Sequence, residues 1–207
     1  MKLHLITTLL IFLLVWPVTT QAQKKLNTHM TKGLTSINDF GINAGIGNYT
    51  LGKEDKQNSE TVITLSSVIS YMFNSHFSAG VGLGFDKWKL INFLPVYVDL
   101  RLFFLSSYRT NPFIFIDGGF ARKWGTSPRS SAIKFSAGST GDFFGAAGIG
   151  VKTYISKSSC INFSFGYKIQ RINLSYLGPN NIGSDVPVFL SEIANYQFLS
   201  IKAGFSF

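Results

Sequence analysis

From His76 to Phe85 the chain alternates without a break. Phe77, Ala79, Val81, Leu83 and Phe85 share one face, and His76, Ser78, Gly80, Gly82 and Gly84 share the other. A period of two sorts residues as a strand does and as no helix can. Seven further segments repeat the pattern. In Phe40 to Gly47, Phe40, Ile42, Ala44 and Ile46 oppose Gly41, Asn43, Gly45 and Gly47. Val62 to Phe73 groups Ile63, Leu65, Ile69, Tyr71 and Phe73. Val96, Val98, Leu100, Leu102 and Phe104 oppose Tyr97, Asp99, Arg101 and Phe103. Ile114, Ile116 and Phe120 oppose Asp117 and Gly119. Phe143, Ala147, Ile149, Val151, Thr153 and Ile155 oppose Gly148, Gly150, Lys152 and Tyr154. Ile161, Phe163, Phe165, Tyr167 and Ile169 oppose Asn162, Ser164, Gly166, Lys168 and Gln170. Leu199, Ile201, Ala203, Phe205 and Phe207 oppose Ser200, Lys202, Gly204 and Ser206.

Eight strands is an even count, as antiparallel closure into a barrel requires. The connections alternate in length. Asn74-Ser75, Ser106 to Asn111 and Ser156 to Ser159 are short. Thr50 to Glu60, Gly125 to Gly141 and the stretch from Ile172 to Asn195 are long, with Trp88 to Phe93 a shorter exception. Residues 1–22 stand apart. Lys2 precedes an apolar run from Leu5 to Trp16, and Thr20-Gln21-Ala22 offers small residues for cleavage before Gln23. That order reads as a secretory signal peptide. The run is too short for a spanning helix, which needs roughly 20 apolar residues. No Cys follows the cleavage point, so a lipoprotein anchor is not expected. Residues 23–38 show no clear period and read as an N-terminal periplasmic tail, with a ninth element there left open. Residues 39–207 form the barrel domain.

Alternation does not say which face points outward. A soluble sandwich or a lipocalin-like, ligand-holding barrel would turn the apolar face inward. Here the opposite face is Gly, Ser and Asn with few charges, which suits a narrow lumen better than a water-washed exterior. An apolar exterior makes the chain an all-β, eight-stranded antiparallel up-and-down transmembrane barrel, since only helices and closed barrels satisfy the backbone in lipid.

The signal peptide, the eight alternating segments and the terminal ladder of Leu199, Ile201, Ala203, Phe205 and Phe207 resemble the small OmpA/OmpX-type outer-membrane β-barrel family. The resemblance covers nearly all of the mature chain and is one of pattern. It implies that the terminal ladder is read by the barrel-assembly machinery as an assembly signal. With the sequence stopping at Phe207, the barrel-only branch of that family is expected, located in the outer membrane and monomeric.

Charge adds a little. The formal net charge is +9, and losing Lys2 with the leader leaves +8. In an exported chain with scattered Lys and Arg, nucleic acid is not the expected partner; lipid and lipopolysaccharide phosphate are. Lys53, Lys56, Lys89, Arg122, Lys123, Arg129 and Lys134 fall at or near the long-loop end and are the candidate contacts. Aromatics near strand ends are expected in interfacial belts: Tyr49, Trp88 and Trp124 at that end, Tyr71, Phe73, Tyr108 and Phe207 at the other. Inside, Asp99, Arg101, Asp117 and Lys152 are expected to form a salt-bridge network, with Lys168 and Lys202 facing inward nearby. Four cations against two carboxylates leave a rigid, filled barrel and a narrow, anion-tolerant pore both open.

No enzymatic site is expected. His4 leaves with the signal peptide, His29 lies in the tail, and His76 sits at the short-turn end of its strand. Glycine-rich pieces such as 80–84 and 145–150 continue as strands, whereas a phosphate cradle must open a helix. Glu54, Asp55 and Glu60 read as a solvated loop face. No metal or other cofactor is expected, an extracellular partner is not identifiable, and the single Cys160 excludes an internal disulfide.

Overall fold

The structure, a computed structural model, describes residues 32–51, 54–89, 91–105, 109–126, 142–156, 159–178 and 188–207. The expected signal peptide and the first part of the expected tail lie outside these residues. Ten strands are present: β1 (Gly33–Ile46), β2 (Asn48–Leu51), β3 (Glu54–Gln57), β4 (Thr61–Met72), β5 (Phe77–Lys87), β6 (Ile91–Phe103), β7 (Thr110–Thr126), β8 (Asp142–Tyr154), β9 (Cys160–Gly178) and β10 (Val188–Ser206). Eight of them close a barrel in the order β1-β10-β9-β8-β7-β6-β5-β4, while β2 and β3 make a separate hairpin. Every neighbouring pair is antiparallel. Closure comes from β1 against β10, with Ile42 opposite Ile201 and Asp39 opposite Gly204.

The even/odd division read from the sequence becomes an outside and an inside. Val81, Leu83, Val96, Val98, Ile116, Phe120, Ile149, Phe163 and Ile201 point outward and stay exposed. Together they make an apolar band around the barrel, far larger than a water-soluble surface leaves uncovered. Ser70, Asn162, Ser164, Gln170 and Ser200 point inward and are buried. No described helix is long and apolar enough to cross a membrane, which does not bear on strands.

Three boundaries differ from expectation. β1 begins at Gly33, so residues 33–38 of the expected tail belong to the barrel wall. Their period is disguised because Ile37 faces inward at 3% exposure while Ser36 and Asn38 lie between inward-facing neighbours. Backbone pairing holds them instead: Ser36 N–H donates to Phe207 O (2.7 Å) and Phe207 N–H donates back to Ser36 O (3.0 Å). The stretch from Ile172 to Asn195 is mostly strand, because β9 and β10 continue pairing out to Gly178 opposite Val188. The Thr50–Glu60 connection carries the β2–β3 hairpin. Gly47, at φ 68°, makes the left-handed turn from β1 into it, a conformation that favours glycine.

The barrel thus has two ends. The terminus end carries the starts of β1, the end of β10 and the short turns; the loop end carries the long connections.

Candidate functional site

The lumen is filled, in three tiers. At the loop end, aromatic side chains pack edge to face. Trp88 lies 5.4 Å from Phe93, 5.2 Å from Tyr196 and 5.1 Å from Phe198, between ring centroids. Tyr49 of the β2–β3 hairpin stacks on Tyr196 at 4.4 Å. Asn58, beyond β3, is buried and donates its Nδ2–H to Gln197 O at 2.6 Å, which seats the hairpin over the barrel mouth. Trp88 and Tyr49 therefore do not stand in the interfacial belt expected for them. An indole beside a short turn buries more apolar area by folding into the mouth than by pointing outward. Trp124, Tyr71, Phe73 and Phe207 do point outward and are exposed; Tyr108 lies outside the described residues.

The middle tier holds the charges. Arg101 donates through Nε to both oxygens of Asp99 (3.0 Å each), and its Nη2 lies 3.0 Å from Asp99 and 3.6 Å from Asp39. Lys202 pairs with Asp117 at 3.1 Å. Lys168 pairs with Asp86, which also accepts from Thr64 Oγ1 at 2.6 Å, and Thr64 accepts from Asn43 Nδ2 at 2.7 Å. The cations also lie over aromatic faces: Arg101 on Phe113, Lys168 on Phe144 and Lys202 on Phe115, each 5.1–5.2 Å from the centroid. Asp99 and Asp117 face each other in register across β6 and β7.

Two details of the expected network change. Lys152 is not part of it: it sits a step from the terminus end, over Phe103 and Tyr154, with no carboxylate within 4 Å among the described residues. Two carboxylates, Asp39 and Asp86, were missed. They lie one inward position beyond the segments read as strands, two residues from Gly41 and from Gly84. With them, and with Asp142 at the loop end of β8, the buried inward-facing carboxylates number five (Asp39, Asp86, Asp99, Asp117 and Asp142) among the described residues, against the four cations Arg101, Lys152, Lys168 and Lys202. The charge surplus behind an anion-tolerant pore is therefore absent from this set, and Tyr97, Phe144 and the aromatic mouth fill the space above it.

The terminus-end tier is Met72, Phe103, Phe113, Phe115 and Ala146. Phe113 and Phe115 went unnoticed in the sequence because Phe113-Ile114-Phe115-Ile116 is apolar on both faces. The lumen glycines are their sockets. A Cβ on Gly148 or Gly166 would run into Phe115, and one on Gly150 into Phe113.

At the loop-end rim, Arg122, Lys56 and Lys89 are exposed, and Lys123 is half-buried. Lys53, Arg129 and Lys134 lie outside the described residues. Lys87 on β5 and Arg171 on β9 are also exposed and outward-facing there, each a continuation of its strand's period past the segment first recognised. The terminal ladder of Leu199, Ile201, Ala203, Phe205 and Phe207 faces the exterior. His76 stands in the β4–β5 turn, exposed, its Nδ1 3.1 Å from Ser75 Oγ. Among the described residues no three His, Cys, Asp or Glu gather to hold a metal ion.

No family model matches the sequence, and no curated protein does either. Solved structures do. Neisserial surface protein A (NspA) superposes with a TM-score of 0.52 at 10% identity, over 84% of this chain and 97% of that one. The fold is that of a small outer-membrane β-barrel. The N-terminal barrel of Pseudomonas aeruginosa OprF aligns at a TM-score of 0.47 and 12% identity, over 86% of this chain and all of that one (100%). The outer membrane enzyme PagL aligns at 0.45 and 16%, over 81% and 97%. At 10% identity the likeness to NspA concerns the fold and not activity.

Proposed function

We propose that the chain is an integral outer-membrane barrel that serves as a structural and surface-interacting element, without catalysis and without an open pore. The observation that carries this is the pairing of a continuous apolar exterior with an ion-paired, aromatic-packed lumen. An eight-stranded barrel is just wide enough for side chains to fill. The terminus end then faces the periplasm and the long loops face outward, the usual disposition of such barrels. The outward ladder ending at Phe207 is where the assembly machinery would engage the chain.

The test is fractionation followed by gel mobility. The protein should extract with the outer membrane in detergent, run faster unheated than boiled, and give no stepwise conductance in planar bilayers. Release in the periplasmic fraction without detergent would leave a soluble ligand-holding barrel instead, and discrete conductance would restore the pore.

Lipopolysaccharide phosphate is the proposed surface partner. Lys87, Arg122 and Arg171 are exposed, outward-facing cations at the loop-end rim, with Arg122 two residues beyond Phe120 on β7, whose ring meets that of Phe143 edge to face at 6.3 Å. Cations over an aromatic collar suit a phosphorylated lipid headgroup on its acyl chains. Changing all three to Gln should reduce co-purified lipopolysaccharide several-fold while leaving the mobility shift intact. Undiminished lipopolysaccharide would remove this partner.

A further inference from the structure

Lys152 is the anomaly of the lumen. It is 4% exposed, yet it has neither a carboxylate nor a hydrogen-bond acceptor among the described residues. Its ammonium touches only ring faces, Phe103 at 5.6 Å and Tyr154 at 5.3 Å. The other lumen cations are matched: Arg101 by Asp99 and Asp39, Lys168 by Asp86, Lys202 by Asp117. The remaining buried carboxylate among the described residues, Asp142, stands at the opposite end of β8, where it accepts from Asn173 N–H at 3.3 Å, and is out of reach of Lys152. A buried charge without a counter-charge is strongly disfavoured, and ring faces compensate only in part.

Its neighbour makes the deficit larger. Asn162 on β9 stands directly opposite Lys152 in register and faces inward at 3% exposure. Opposed residues on one face of a sheet bring their Cβ atoms to about 5 Å. The Nδ2 of Asn162 is buried and has no acceptor either. At the same end, Ser206 Oγ on β10 is buried opposite Cys160 and interacts with its thiol, so it is not free for another partner. The surroundings therefore hold an ammonium and an unpaired amide N–H beside the Cys160 thiol, with Asn111 of β7, opposite Lys152 on its other side, engaged through Oδ1 by Leu105 N–H, and with no carboxylate within 4 Å of the ammonium among the described residues.

We propose that Lys152 and Asn162 bind a small monovalent anion of halide size at the terminus end of the lumen. One ammonium balances one negative charge, and the narrow lumen excludes larger anions. Water can accept the hydrogen bonds but does not cancel the charge; a halide does both. The site stands on lumen packing alone and does not depend on the role proposed for the outer loops.

The probe is bromide. Anomalous diffraction from bromide-grown crystals of the detergent-folded protein should show a peak within hydrogen-bond reach of Lys152 Nζ and Asn162 Nδ2. In parallel, unfolding is compared in sodium chloride and in sodium gluconate at equal ionic strength. Chloride at about 100 times its Kd should raise the folded-to-unfolded ratio about 100-fold. Asn162→Asp, which places a carboxylate opposite Lys152, should lose both the bromide peak and the chloride dependence. Lys152→Met should do the same, and if it fails to fold the Asp variant still decides. Absence of a peak, with equal unfolding in both salts, would mean that ordered water alone serves Lys152 and would overturn the proposal. A peak unchanged in the variants would be an adventitious ion only, with the same consequence.

Discussion

Tyr97 occupies space that two neighbours leave by carrying no side chain. A Cβ built on Gly82 of β5 would fall within its ring, and one on Gly119 of β7 would meet its Cα and Cβ. Gly82 is the cleaner case, because the three atoms nearest to a methyl there all belong to the ring, whereas a methyl on Gly119 would first meet the backbone oxygen of Val96. Gly82→Ala should therefore destabilise the barrel by roughly 1–3 kcal/mol in urea unfolding, through overpacking. In a Tyr97→Leu background the same change should cost little, and a double-mutant cycle reads the coupling directly. Equal costs in both backgrounds would show that the glycine serves the backbone and not the ring. The glycine periodicity was legible in the sequence; its purpose was not. A lumen glycine reads the same whether it lines a channel or receives an aromatic ring.

Among the elements, the β2–β3 hairpin depends on few contacts. It pairs only within itself, from Asn48 opposite Gln57 to Leu51 opposite Glu54. An isolated two-stranded hairpin is marginal in water, so it needs an anchor. Asn58 Nδ2 on Gln197 O and the Tyr49–Tyr196 stack supply it. Asn58→Ala should cost about 1–3 kcal/mol, since it leaves a buried carbonyl without its donor. It should also speed protease cleavage between residues 48 and 57 while the barrel stays intact. A cleavage rate equal to that of the wild type would show that the stacked rings hold the hairpin unaided. The barrel strands themselves were legible because alternation is a local property. The hairpin was not: its eight paired residues, mostly polar, read as a loop until the barrel mouth offers Tyr196 and Gln197 as partners.

Across the whole molecule, ion pairs tie together strands that are not neighbours. Arg101 of β6 reaches Asp39 of β1, Lys202 of β10 reaches Asp117 of β7, and Lys168 of β9 reaches Asp86 on the opposite side of the ring. Removing one partner leaves the other charge buried and uncompensated. Arg101→Met should thus lower stability by roughly 3–5 kcal/mol. Adding Asp39→Asn and Asp99→Asn to that variant should recover much of the loss, because the stranded carboxylates go with it. Failure of the triple variant to recover would assign the cost of Arg101→Met to lost packing on Phe113.

What the sequence determined by itself is the sorting of residues between two faces, and with it the strand count, the apolar exterior and the closed topology. Each follows from a period of two that neighbouring residues enforce on one another. Only the tertiary structure decided which charge meets which across the lumen, that Trp88 and Tyr49 turn inward, and that Lys152 is left without a counter-charge. Those outcomes depend on the stagger with which the sheet closes on itself. That stagger sets the height at which non-neighbouring strands face each other, and no local pattern along the chain encodes it.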